Sequence, residues 1–354
     1  MKRLLAIAAA VLILAGCAAI PDSPESSDKP ESAGSGLTET NGPADNETAG
    51  PADDEIPEPP VDETPEPPVD ETPEPPDTTG QPTPPAPEVT PPPSPAPDPP
   101  AKDNNEPVGS MYTWGQLMAM DNNNFGCPHS GAVDEKKRPL VSIRYEAKYE
   151  KYNAHFIAPD DGKIYLTYTM GYEHTVVENG QTIRLTERIL DIMKEKNVKG
   201  VFLINKYYAK SCPDIVRRII EEGHIVGNHS AGHYTLADLR IDRVVEEIMD
   251  LHNYVLDNFG YKMTIFRPPS GESSERVLAI AQSLGYTTVN YSFAYYDWVT
   301  SDQPDVQSSL QKLIDNAHSG AIYQLHCVSY TNAQILGDAI DAIREKGLEF
   351  ALYS

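Results

Sequence analysis

Five short stretches of the chain carry side chains able to do acid–base or metal chemistry. His229 and His233 lie four apart in His-Ser-Ala-Gly-His. That spacing presents both imidazoles to one metal ion if the segment turns helically. Arg267 opens Arg-Pro-Pro-Ser-Gly, where the prolines stiffen a turn, Gly271 permits close approach and the guanidinium fork is left available. Asp297-Trp298 follows Asn-Tyr-Ser-Phe-Ala-Tyr-Tyr, and His326 closes Ile-Tyr-Gln-Leu-His. The fifth stretch, residues 163–173, reads Lys-Ile-Tyr-Leu-Thr-Tyr-Thr-Met-Gly-Tyr-Glu. It has the alternation of a buried strand ending at a glycine turn, yet its tip is Thr169-Met170, neither acid nor base.

The elements that must position these groups alternate. Strand-like runs at residues 164–169, 201–205, 224–229, 264–267, 287–293 and 320–326 are separated by amphipathic helical runs, and 348–353 closes the set. The helical runs include 184–197, 212–223 with Pro213 near its start, 236–260, 273–285, 306–317 and 332–347. Such alternation predicts a parallel sheet with right-handed crossovers. With about seven units, a (β/α) barrel is preferred over an open doubly wound sheet. All five stretches then fall at C-terminal strand ends, the face on which barrels carry active sites. Glycine-rich phosphate loops are absent, which argues against nucleotide binding. Residues 108–134 fit the alternation poorly and read as an N-terminal extension to a domain spanning 135–354.

The order and spacing of the motifs resemble the polysaccharide deacetylases, the NodB-homology domain of carbohydrate esterase family 4. The similarity is greatest to its muramic-acid de-N-acetylase branch: Tyr-Leu-Thr-Tyr-Thr-Met-Gly-Tyr-Glu, Gly-Asn-His-Ser, Arg-Pro-Pro-Ser-Gly, Tyr-Ser-Phe-Ala-Tyr-Tyr-Asp-Trp and Gly-Ala-Ile-Tyr-Gln-Leu-His-Cys-Val-Ser all have counterparts there. The resemblance implies a distorted (β/α) barrel and a metal-dependent hydrolase of N-acetyl amides on peptidoglycan or a related glycan. Residue by residue, it implies that His229 and His233 bind the metal, zinc or another divalent ion. Arg267 orients the catalytic base, Asp297 tunes His326, and His326 protonates the leaving amine. Trp298 walls a substrate groove that Ser270 and Tyr172 share. Thr169 stands at the position of the base, and Met170 at that of the third metal ligand.

Those two substitutions divide the functional reading. A threonine hydroxyl cannot accept a proton near neutral pH, and losing a positioned acid–base group typically costs ~10²–10⁴ in rate. A thioether is a poor zinc ligand, so metal binding is expected to be weak or absent. Two imidazoles with Met170 would instead suit a soft ion such as Cu(I). Glu173 is the nearest carboxylate in sequence, but it lies beyond Gly171. Strand parity sets Cys327 opposite His326, as a core thiol. The chain therefore reads as a deacetylase of low activity or, alternatively, as a catalytically inactive deacetylase fold that binds cell-wall glycan as a monomer.

The N-terminal third accounts for most of the formal charge of −25. Lys2 and Arg3 precede an apolar run from Leu4 to Ala15, too short to span a bilayer comfortably. Leu14-Ala15-Gly16-Cys17 resembles the lipobox of bacterial lipoproteins, which implies export and lipidation of Cys17. Residues 18–107 contain 26 of the 33 prolines, 22 acids and 2 bases, with Pro-Glu-Pro-Pro-Val-Asp-Glu-Thr repeated at 57–64 and 65–72. That composition favours an extended polyproline tether, with a reach on the order of 200 Å at about 3.1 Å per residue. The expected organisation is thus 1–17 signal and anchor, 18–107 linker, 108–134 extension and 135–354 domain, carried on the outer face of the cytoplasmic membrane. Nothing basic suggests nucleic acid. Cys127, Cys212 and Cys327 are too few and too odd for a disulfide framework, although a Cys127–Cys212 bridge stays open.

Overall fold

The computed structural model describes residues 104–354; the expected signal, Cys17 and nearly all of the expected linker lie outside them. The strand Lys163–Met170 occupies the middle of a nine-stranded sheet in which every pairing is parallel. One of its edges pairs along its length with Ala321–His326, which pairs on with Phe293–Ala294. Its other edge is shared. Glu349–Ala351 pairs with the start of the strand, and Gly200–Ile204 with its end. The sheet continues through Ile225–Asn228, Ile265–Phe266 and Thr287–Val289 to Ala154–His155. The path curls without closing, as a distorted (β/α) barrel of the expected class.

The central strands are buried on both faces. From Ile164 to Met170 every residue is buried, and so is every residue of Gly200–Ile204, as expected of a parallel sheet covered by crossover helices. Helices Leu185–Glu195, Pro213–Glu221, Ile241–Phe259, Glu275–Ser283, Val306–Asp315 and Tyr330–Glu345 fill the crossovers. Their ends follow local chemistry. Pro213 starts its helix at a position needing no N–H, the Ser274 and Ser329 hydroxyls accept from Val277 and Asn332 backbone N–H, and Gly260 at φ 63° stops the longest helix.

The structure adds the helices Leu140–Tyr149 and Lys206–Ser211 and the strand Ala154–His155 to the expected elements, and differs from them at several other places. The long helix begins at Ile241, not at residue 236, because Leu236–Asp238 forms a separate 3₁₀ turn that buries Leu236. The run 287–293 is broken into two strands, whose intervening Asn290 offers its carbonyl to Arg267. A hairpin, Thr175–Glu178 with Gln181–Arg184, turns at Asn179-Gly180, both at positive φ. That dipeptide is a hairpin signal which the helical reading passed over. Residues 108–134, read as an N-terminal extension, are tied onto the barrel: Phe125–Gly126 pairs antiparallel with Glu272–Ser273, and the Cys127 N–H donates to the Gly271 carbonyl at 2.7 Å. Pro107 already pairs with Thr113. Cys127, Cys212 and Cys327 are all free and buried, so the Cys127–Cys212 bridge is not formed.

Gly271 shows how tightly this junction is drawn. It sits at φ 65°, and an added Cβ would fall 2.4 Å from the Tyr291 hydroxyl. Gly271→Ala should therefore lose about 1–3 kcal/mol through backbone strain, read as a drop in Tm. Gly126→Ala, with open space around its Cβ and no positive φ, should leave Tm nearly unchanged. Equal effects would contradict this account of the junction.

Candidate active site

The C-terminal ends of the strands open into a cavity of about 900 Å³. Thr169, Tyr172, His229, His233, Arg267, Ser270, Trp298 and His326 all line it. Asp297 does not, because it is wholly buried behind His326. Met170 is buried and absent from the lining: alternation along the strand turns Thr169 to the cavity and Met170 away from it. The expected place of Met170 among the metal ligands, and with it the soft Cu(I) site, is therefore not supported by the geometry.

The acid side is fully assembled. His326 ends its strand, and its Nδ1 lies 2.6 Å from Asp297 Oδ1. Asp297 Oδ2 accepts from the His326 backbone N–H at 2.9 Å and from the Asn332 side chain at 2.7 Å. Tyr295 in turn donates its hydroxyl to Asn332 Oδ1. A carboxylate can only accept, so Nδ1 carries the proton and Nε2 faces the cavity. Trp298 meets the His326 ring edge-on at 5.7 Å and Tyr296 at 4.7 Å. Tyr172, Tyr207, Tyr296 and Trp298 are exposed at the rim.

The metal side is half built. His229 Nδ1 donates to the Arg267 carbonyl at 2.8 Å, leaving Nε2 as a buried lone pair with no partner among the described residues. This is the outer-shell arrangement that metal-binding histidines adopt. His233 faces it with ring centroids 4.9 Å apart. Burial holds both imidazoles below their usual pKa, His229 strongly, with His233 adding to the shift, so both are neutral near pH 7. The pair is not brought together by a helical turn, as expected, but by a loop with Ser230 and His233 in the left-handed region. Glu247 pins that loop: its carboxylate accepts from the Gly232 N–H at 2.6 Å and its carbonyl from the Ala231 N–H at 2.9 Å. The two histidines fit zinc as neutral nitrogen donors. Among the described residues, however, no group of three His, Cys, Asp or Glu could complete the site.

The base position is empty of any carboxylate. Arg267 is 1 % exposed, and its Nε and Nη2 each donate at 2.8 Å, to the Val289 and Asn290 carbonyls. Nη1 makes only a 3.5 Å contact with Thr169 Oγ1. Burial lowers the guanidinium to about 10, which leaves it cationic at neutral pH. Glu173 does not substitute. Its carboxylate accepts from the Thr186 N–H at 3.1 Å and from the Tyr208 hydroxyl at 2.7 Å, and it is not part of the cavity. Cys327 is a buried thiol outside the cavity, its pKa raised by burial.

Several contributors escaped the sequence reading. Asn332 and Glu247 lie inside helices, where nothing in the pattern marks them. His129 comes from the extension: its Nδ1 lies 3.1 Å from the Cys127 carbonyl and its ring 5.2 Å from Tyr291. Gln324 was legible by parity, since it shares a strand face with His326.

With two imidazoles and no third ligand, the purified protein should bind Zn²⁺ weakly and lose it on dialysis against a mild chelator. His229→Ala should abolish the remaining binding in a calorimetric titration. Stoichiometric zinc surviving dialysis would mean that a third protein ligand exists.

Comparison with known proteins places the chain. A model of the polysaccharide deacetylase family matches residues 157–289. The chain is similar to the peptidoglycan-N-acetylmuramic acid deacetylase PdaA of Bacillus subtilis (strain 168), at 37 % identity over 214 residues, covering 60 % of this chain and 78 % of the relative. An uncharacterized 30.6 kDa protein of Geobacillus stearothermophilus is 36 % identical over 214 residues, covering 60 % and 77 %. Among solved structures, that of B. subtilis PdaA, described as a family 4 carbohydrate esterase, superposes with a TM-score of 0.59 at 33 % identity, covering 65 % of this chain and 95 % of that one.

Proposed function

Because the chain belongs to the polysaccharide deacetylase family, we propose that its cavity binds the N-acetylated glycan of peptidoglycan and that it hydrolyses the N-acetyl amide slowly, with an intact acid and no built-in base. One observation carries this reading. The cavity sets a complete His326–Asp297–Asn332 relay across from a buried Arg267 whose facing residue is Thr169. The relative named a peptidoglycan-N-acetylmuramic acid deacetylase supports the choice of glycan.

The residues divide the work. Tyr296 and Trp298 offer apolar faces to sugar rings, and polar groups of the lining fix orientation. His326, held by Asp297, gives a proton from Nε2 to the departing amine; the buried carboxylate stabilises the imidazolium from which that proton comes. A divalent metal, when held by His229 and His233, would polarise the amide carbonyl. The step left unassisted is removal of a proton from the attacking water. Thr169 cannot accept it, which places the rate ~10²–10⁴ below that of a site with a base.

Thr169→Asp introduces a carboxylate on the cavity side of its strand, facing Arg267. With excess zinc, release of free amine from N-acetylated muropeptides should rise by at least about 10². A wild type already as fast as the variant would mean that another base serves.

The N-terminal third supports a second part of the reading, export and lipid anchoring through Cys17. The charged start, the short apolar run and the Leu-Ala-Gly-Cys end motivate it. A metabolically incorporated fatty-acid probe should label the wild type and not Cys17→Ser; equal labelling would remove the claim.

A further inference from the structure

Arg267 is a desolvated cation without an anion. Among the described residues no carboxylate pairs with it, and its bonds to Val289, Asn290 and Thr169 use three of the five N–H groups a guanidinium carries. The Tyr291 ring lies 5.5 Å from its Cζ, which softens the charge without neutralising it. Carbonyl dipoles orient the group but leave its burial incompletely compensated. Thr169, which faces the cavity beside the guanidinium, brings it a hydroxyl and no charge.

We propose that Arg267, with Thr169 beside it, forms a subsite for a small monocarboxylate of the size of formate or acetate. The chemistry of the donor selects the class. A guanidinium fork matches a planar two-oxygen anion in shape and charge. Resting on the deacetylase reading above, the bound carboxylate takes the role that Thr169 cannot. It accepts a proton from water as the water oxygen bonds to the amide carbonyl carbon. The C–N bond then breaks, its electron pair stays on nitrogen, and His326 supplies the proton that makes the free amine. The carboxylic acid formed returns its proton to solvent or to His326, so one water is consumed and the carboxylate is regenerated. The acetate released belongs to the same ligand class, so product can act as activator.

The full chain, stripped of metal by a chelator so that no ion can hold the anion, would be titrated with sodium formate at constant ionic strength. The side-chain ¹⁵N–H signal of Arg267 and Tm report binding. Wild type should show a saturable shift and a rise in Tm. Thr169→Asp, whose own carboxylate occupies the guanidinium, should show neither. The same response in Thr169→Asp, or an equal response to sulfate, would overturn the subsite. In a second arm with zinc present, formate should raise amine release by wild type at least about tenfold and leave Thr169→Asp unaffected. If Thr169→Asp releases amine and formate-treated wild type does not, the proton-accepting role is overturned while the subsite stands on its binding data. If neither releases amine, the deacetylase reading itself fails, and the proton-transfer step with it.

Discussion

The side of the site that carries His229 and Thr169 is organised by the buried Arg267. Its backbone N–H donates to the Asn228 carbonyl at 3.0 Å, joining two neighbouring strand ends. Its carbonyl fixes the tautomer of His229. Its guanidinium binds the Val289 and Asn290 carbonyls at the break between two strands and rests against the ring of Tyr291. The turn that follows it, through Gly271, is where the N-terminal extension docks and brings His129 to the cavity. A cation in this position is held by oxygen dipoles from three directions and by no negative charge among the described residues. Removing the cation would take a donor from two buried carbonyls, those of Val289 and Asn290, at about 1–3 kcal/mol each. That is a physical reason for the arginine to stay even where the carboxylate it would orient is absent.

The two sides of the cavity are built to different standards. Asp297 is wholly buried, and three donors satisfy its two oxygens, so His326 has one tautomer and one orientation. On the other side the left-handed backbone of Ser230 and His233 holds the imidazoles together at a strain cost of order 1–3 kcal/mol per residue. Strain of that kind is retained where neighbouring groups enforce it, as Glu247 does here. Among the described residues, the cavity thus holds two facing imidazoles with no third His, Cys, Asp or Glu beside them, and a buried guanidinium with no facing carboxylate. Thr169 faces the cavity beside Arg267 without a charge, and Met170, next along the strand, is turned into the core.

Much of this was readable before the fold was known, because strand ends announce themselves. Alternation into Gly171, the prolines after Arg267 and the His-x₃-His spacing are local signals, and eight of the expected site residues converge on one cavity. The side chain of Met170 could not be placed so simply: motif position suggested a ligand, whereas strand parity turns it into the core. The loop geometry at Ser230–His233 was also hidden, since a non-glycine residue at positive φ leaves no mark in composition. Asn332 and Glu247 act over long sequence separations, and a helix pattern records only which face is apolar. Residues 108–134 were opaque because their short elements take order from what they dock on, the helix Glu275–Ser283 and the turn at Gly271, not from a period of their own.

The central claim is that attack by water, not departure of the amine, is the step this cavity fails to assist. The most direct measurement compares amine release by the wild type from N-acetyl and N-trifluoroacetyl forms of the same chito-oligosaccharide, corrected for the uncatalysed rate. An electron-withdrawing acyl group makes the carbonyl carbon susceptible to water without a strong base, while protonation of the amine still falls to His326. The account predicts clear turnover of the trifluoroacetyl substrate, lost in His326→Ala, with the acetyl substrate close to background. Equal and rapid turnover of both substrates by the wild type would contradict it, because the site would then contain an effective base.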